Sequence, residues 1–271
     1  MKIQKYEHVR YAHNPLAEVI CQVRFPHAPA LLESLPESLG QHLAQLGYTQ
    51  LSEEQVFSVS IAFPGNEEGA VSNAKTPTAK VFHLASATEA YKVSISADFV
   101  ALTCTKYVSW EDFRPRFVAA YVLILSKVDG AFPVRIGLRY KDLIERESLG
   151  LEGVAWHKLI APFLLGPLSL NALSDDGNDS EEAISAFVTQ STLQLDDCGL
   201  VLQGALLRSS ANDRRAFLID SDFFIENADP DAFKDDGELI SSLDVLHHNA
   251  GSLFRQGITK ELHDALGPSP I

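Results

Sequence analysis

Basic side chains, cysteine and long apolar runs are all scarce in this chain of 271 residues. Lys and Arg number 22 against 36 Asp and Glu, a formal net charge of −14. That balance excludes a general nucleic-acid binder, because neutralising phosphate needs an excess of cations. No apolar run reaches the ~18 residues of a membrane-spanning helix, and the opening stretch MKIQKYEHVRYAHNP lacks the apolar segment of a secretory signal. A cytoplasmic protein with no membrane partner is expected. The three cysteines, Cys21, Cys104 and Cys198, form neither a disulfide framework nor a CxxC zinc pair. Two lie in apolar runs and Cys198 lies in an acidic turn, so all three read as unreactive.

Catalytic signatures are missing as well. The chain holds no GxSxG elbow, no HExxH, no GxxxxGK[ST] phosphate loop and no GxGxxG after a strand. His247 and His248 are adjacent, so on a helix they diverge by about 100° and cannot chelate together. The carboxylate pairs Glu67-Glu68, Asp175-Asp176 and Glu181-Glu182 fall in loop-like stretches, where solvent keeps their pKa values together. No catalytic residue, metal or cofactor is assigned.

What is present is a core-forming chain, 46% hydrophobic, patterned as strands and helices. Ala17–Phe25 reads as a strand, and Leu32, Leu35, Leu39, Leu43 and Leu46 make a helical stripe that Gly47 ends. Gln55–Phe63, Lys80–Ala85, Ala90–Ala97 and Phe99–Tyr107 read as strands, with Pro64–Thr78 as a loop. A helix runs to about Val128; Ser109 signals its start, and Pro115 stands either at its first turn or at a kink. Phe132–Asp142 alternates strictly. Val154–Leu165 reads as a helix, and Ile184–Leu195 and Gly199–Arg208 as a hairpin. Ala216–Ile225 follows as a strand and Gly237–Arg255 as an amphipathic helix, and Thr259 caps a last short helix. The order repeats. The expected fold is α+β, two tandem β-α-β(3–4)-α halves, 1–131 and 132–271, in a mostly antiparallel curved sheet with helices on one face. That plan resembles the doubled saddle of TATA-binding proteins in architecture alone, since fold does not fix function.

Charge is unevenly divided. Residues 1–131 carry 11 basic and 13 acidic side chains, and residues 132–271 carry 11 and 23. In the second half, Asp175, Asp176, Asp179, Glu181 and Glu182 form an acidic loop suited to a basic protein partner. Alternation in Phe132–Asp142 puts Arg135, Arg139 and Lys141 on one face and Tyr140 on the apolar phase. Asp220 and Asp222 share a face of the strand Ala216–Ile225. Three readings stand open for this set: an ion-pair network tying strands together, a pocket in which Arg139 grips an anionic group beside Tyr140, Asp220 and Asp222, or a weak Asp-x-Asp metal signal.

Several stretches together carry a family resemblance: Asn14-Pro15-Leu16 with Glu18-Val19, Arg135-Ile136-Gly137-Leu138-Arg139-Tyr140, Ile219-Asp220-Ser221-Asp222-Phe223, Leu246-His247, Phe254 and Ile258-Thr259. The set is similar to a sporadically distributed family of uncharacterised prokaryotic proteins of about this length. The resemblance supplies no activity, cofactor or catalytic residue. Its patchy occurrence implies an accessory role, such as phage defence or a toxin-linked gene pair. The functional expectation is a binding or regulatory protein, immunity- or antitoxin-like, engaging a basic partner. The alternative is a sensor or enzyme with an anionic ligand in a pocket between the halves.

Overall fold

The computed structural model describes residues 1–26, 28–29, 32, 38–58, 76–126, 132–169, 184, 186–208, 214–226 and 236–270. In chain order the elements are β1 (Val9–Tyr11), β2 (Leu16–Arg24), α1 (Ser38–Gln45), β3 (Tyr48–Ser58), β4 (Thr76–Ser86), β5 (Tyr91–Ile95), β6 (Phe99–Cys104) and α2 (Trp110–Leu125). Then come β7 (Arg135–Glu145), the single turns α3 (Trp156–Leu159) and α4 (Pro162–Leu165), β8 (Phe187–Gln194), β9 (Gly199–Arg208) and β10 (Arg215–Glu226). The chain closes with α5 (Asp236–Gly257), α6 (Lys260–Ala265) and β11 (Pro268–Pro270).

The fold is α+β. Nine strands form one antiparallel sheet in the order β3-β4-β5-β6-β2-β7-β10-β9-β8. Strands β2 and β7 lie side by side at its centre; from β2 the sheet runs outward through β6, β5, β4 and β3, and from β7 through β10, β9 and β8. One apolar core crosses the junction: Val19, Cys21 and Val23 of β2, Ile136, Leu138 and Ile144 of β7, and Phe217, Ile219 and Phe223 of β10 all belong to it. Helices α2 and α5 cover this face, against β6 and against β7 and β10. Burying a large apolar side chain here is worth roughly 1.5–3 kcal/mol, which is why strict period-two patterning dictates which face turns inward. Among the described residues no helix is long and apolar enough to cross a membrane.

Local signals explain several boundaries. Ser109 caps α2 by accepting from the Asp112 amide, and Pro115 sits inside the helix, which settles its two-way reading in favour of the earlier start. Thr259 caps α6 by accepting from the Leu262 amide.

Two expectations need correction, and one feature was not expected. Val154–Leu165 is two single turns rather than one helix, because Pro162 holds Ala161 extended at φ −66°, ψ 145°. The expected loop to Thr78 is too long, because β4 begins at Thr76; residues 59–75 lie outside the described residues. A second, two-stranded sheet joins β1 to β11, near opposite ends of the chain, and three residues apiece are too few to show a pattern.

Candidate functional site

Strand β7 has two faces, and both carry ionisable groups. On the face away from the helices, every cation of the expected polar cluster is paired. Arg139 donates from Nε to Asp220 Oδ1 at 2.7 Å and from Nη2 to Asp220 Oδ2 at 2.5 Å. Arg135 reaches Asp222 at 2.7 Å, and Lys141 reaches Glu18 of β2 at 2.5 Å. The two bonds to β10 run diagonally, since Asp222 stands directly opposite Arg139 and Asp220 opposite Lys141, whereas Lys141 and Glu18 face each other directly. Arg135 lies over Gly137 to reach its partner. A Cβ at Gly137 would come within 2.4 Å of the Arg135 guanidinium. The same guanidinium rests 4.7 Å from the centre of the Phe224 ring. Asp220 is only 4% exposed. A carboxylate so far from water needs its bidentate partner.

This geometry corrects the expected pocket. Arg139 places two of its three guanidinium nitrogens on Asp220, and that bonding holds its pKa above the ordinary guanidinium value. Tyr140 points to the opposite face, buried under α5, with its hydroxyl bonded to His247 Nδ1 at 2.8 Å. Arg139, Tyr140, Asp220 and Asp222 therefore do not share one floor. The acidic residues Asp175, Asp176, Asp179, Glu181 and Glu182 lie outside the described residues.

A cavity of about 350 Å³ opens instead on the helix side. The central strand supplies Tyr140 and Asp142, the start of α2 supplies Trp110, α5 supplies His247 and Phe254, and the chain around β1 supplies His8 and Tyr11. Its volume falls within the range of small-molecule sites. The polar groups around it are mostly satisfied within the protein. Tyr11 Oη is bonded to His263 Nδ1 at 2.9 Å, and Trp110 Nε1 donates to Asp244 Oδ1 at 2.6 Å. The His247 ring stacks on Trp110 at 4.4 Å. Burial, with His8 and His248 nearby, lowers its pKa to about 3, so it is neutral at physiological pH. His8 is lowered for the same two reasons, burial first and His248 second.

Asp142 is the exception. It is 7% exposed and faces the cavity, and its carboxyl has no hydrogen bond or ion pair among the described residues. Burial raises its pKa to about 8, and the Asp220 carboxylate pushes the same way. At pH 7 its carboxyl is mostly protonated. In that form it can donate to an acceptor, and against a cation it can ionise; either makes it an acid–base group tuned near neutrality. The expected strand Phe132–Asp142 ends at this residue, whereas β7 continues to Glu145. Continued to Ile144, the inward phase reads Val134, Ile136, Leu138, Tyr140, Asp142, Ile144. A carboxylate inside an apolar phase was the available signal.

Compared with family models, curated proteins and solved structures, the chain matches none.

Proposed function

We propose that this protein binds a small molecule in the cavity at Asp142, as a sensor of that ligand or an enzyme acting on it. One observation carries the reading. A buried carboxyl stands in a mostly apolar wall with no partner among the described residues, at a cost of several kcal/mol if it ionises, and it opens onto a space of ligand size. Structural carboxylates elsewhere in the same sheet are given cations, as Asp220 is given Arg139. Pairing at one carboxylate and its absence at another favour a site kept open for something external.

A thermal-shift screen of metabolites of mixed charge tests this. A ligand at about 100 times its dissociation constant should add roughly 2.7 kcal/mol of stability. Trp110, one of two tryptophans and part of the cavity wall, should report the same binding by fluorescence. Gly251→Leu, which extends a side chain from α5 toward His8, should abolish both signals. Compounds that shift wild type and this variant equally would refute the cavity as their site.

A second reading rests on a separate observation, the concentration of acidic residues in 132–271. We propose for that half a basic protein partner, engaged in the manner of an immunity or antitoxin-like factor. Electrostatic association of this kind weakens steeply with salt. Co-purification at low ionic strength should recover a partner that is lost when Asp175, Asp176, Asp179, Glu181 and Glu182 are neutralised together. A partner retained by that variant counts against the loop.

A further inference from the structure

Resting on the ligand-binding reading, we propose that the ligand is a small organic cation, a protonated amine or quaternary ammonium, with its charge against Asp142 and its body against the aromatic wall. Among the described residues the buried carboxyl of Asp142 has no counter-charge, and two hydroxyls that line the cavity with it are engaged elsewhere: Tyr140 with His247, and Tyr11 with His263. No internal donor is left aimed at it among the described residues. A bound cation supplies what the fold withholds.

The walls fit the same chemistry. Tyr11, Tyr107, Trp110, Tyr140 and Phe254 all line the one cavity. Aromatic faces carry negative potential and hold ammonium groups, most strongly where water is excluded. The charged side chains lining the cavity besides Asp142 are Arg10 and Glu111, both exposed and of opposite sign. Three histidines line the cavity: burial lowers the pKa of His8 and of His247, and His248 is exposed, so no buried cation opposes the ligand. An anion would meet ring faces of the wrong sign and could use the carboxyl only while that group stays protonated. The protein's net charge of −14 also draws cations toward it.

The test compares probes of one shape and different charge on the full chain: trimethylbenzylammonium, benzylamine, benzyl alcohol and benzoate, by calorimetry and Trp110 fluorescence. The two cations should bind about ten-fold or more tightly than the alcohol or the anion. Asp142→Asn should remove that preference. A reading on unmutated protein guards against a variant that fails to fold. Trimethylbenzylammonium has no proton to lose, so calorimetry at pH 7 in two buffers of different ionisation enthalpy should register release of about one proton from the protein. Equal or tighter binding of benzyl alcohol or benzoate, or a cation affinity indifferent to Asp142→Asn with no proton released, overturns the cation while leaving the cavity reading intact. No binding by any of the four overturns both.

Discussion

The two faces of β7 treat charge in opposite ways. Outward, Arg135, Arg139 and Lys141 each find a carboxylate on a neighbouring strand. Inward, Asp142 finds none among the described residues, though only one peptide unit separates it from Lys141. The contrast teaches that exposed clusters of charge, which attract attention in a sequence, are here occupied with holding strands together. The informative group is the solitary one under the helices. Pairing consumes the capacity of a charge to recognise anything else, and isolation preserves it.

The sharpest way to probe this contrast is Asp142→Asn followed across pH. The folded pKa of about 8 lies above the unfolded value near 3.9. The folded state therefore binds more protons between these limits, and the stability from this group, full below about pH 4, is lost as pH rises through 8. Wild type should lose on the order of 3 kcal/mol from this source between pH 5 and pH 8, and the variant should not. Denaturant midpoints at the two pH values check it; parallel curves for both proteins would refute the isolation of Asp142.

Next in size is Arg139→Met, which leaves Asp220 without its cation at 4% exposure. A loss of about 2–3 kcal/mol is expected, discounted because the guanidinium itself is partly exposed. The double variant Arg139→Met with Asp220→Leu should recover most of it. Recovery absent from urea unfolding would mean that more than this pair is broken.

Gly137→Ala breaks the outward face more gently. The added methyl displaces the Arg135 guanidinium from Gly137, separating it from Asp222 and Phe224. The expected cost is about 1 kcal/mol, read as a lower melting temperature with the Asp142 pH response unchanged.

The smallest effect should come from Gly251→Ala on the inward side. This glycine sits inside α5, and its added Cβ would make ordinary contact with His8 at 3.5 Å. A gain of about 0.5–1 kcal/mol is expected by thermal unfolding. Destabilisation would mean that the cavity wall tolerates no narrowing.

Much of the sheet was legible because period-two alternation leaves few choices. Arg135, Arg139 and Lys141 separated from Ile136, Leu138 and Tyr140 on sequence alone, and the cap residues Ser109 and Thr259 announced their helices. Which cation meets which carboxylate was not legible, because diagonal pairing depends on register and on the gap at Gly137. The cavity was hidden for a different reason. Its walls come from residues as distant as His8 and Phe254, and the Tyr140–His247 bond spans 107 positions. Such convergence follows from how α2, α5 and the chain around β1 dock, which no local pattern encodes. Asp142 itself was readable as a polar interruption of an apolar phase.

The enclosure around Asp142 is mechanically unequal. Its back is β7, zipped along its length to β10 and β2. Part of its front hangs on the short β1–β11 ladder, with the Ala12 and His13 amides on the Gly267 and Leu266 carbonyls. Peeling three residues is far easier than parting a central strand. Hydrogen exchange should therefore be fast at Ala12 and His13 and slow along β7, and a guest that spans the space should slow it at the front first, like a latch pressed shut from within.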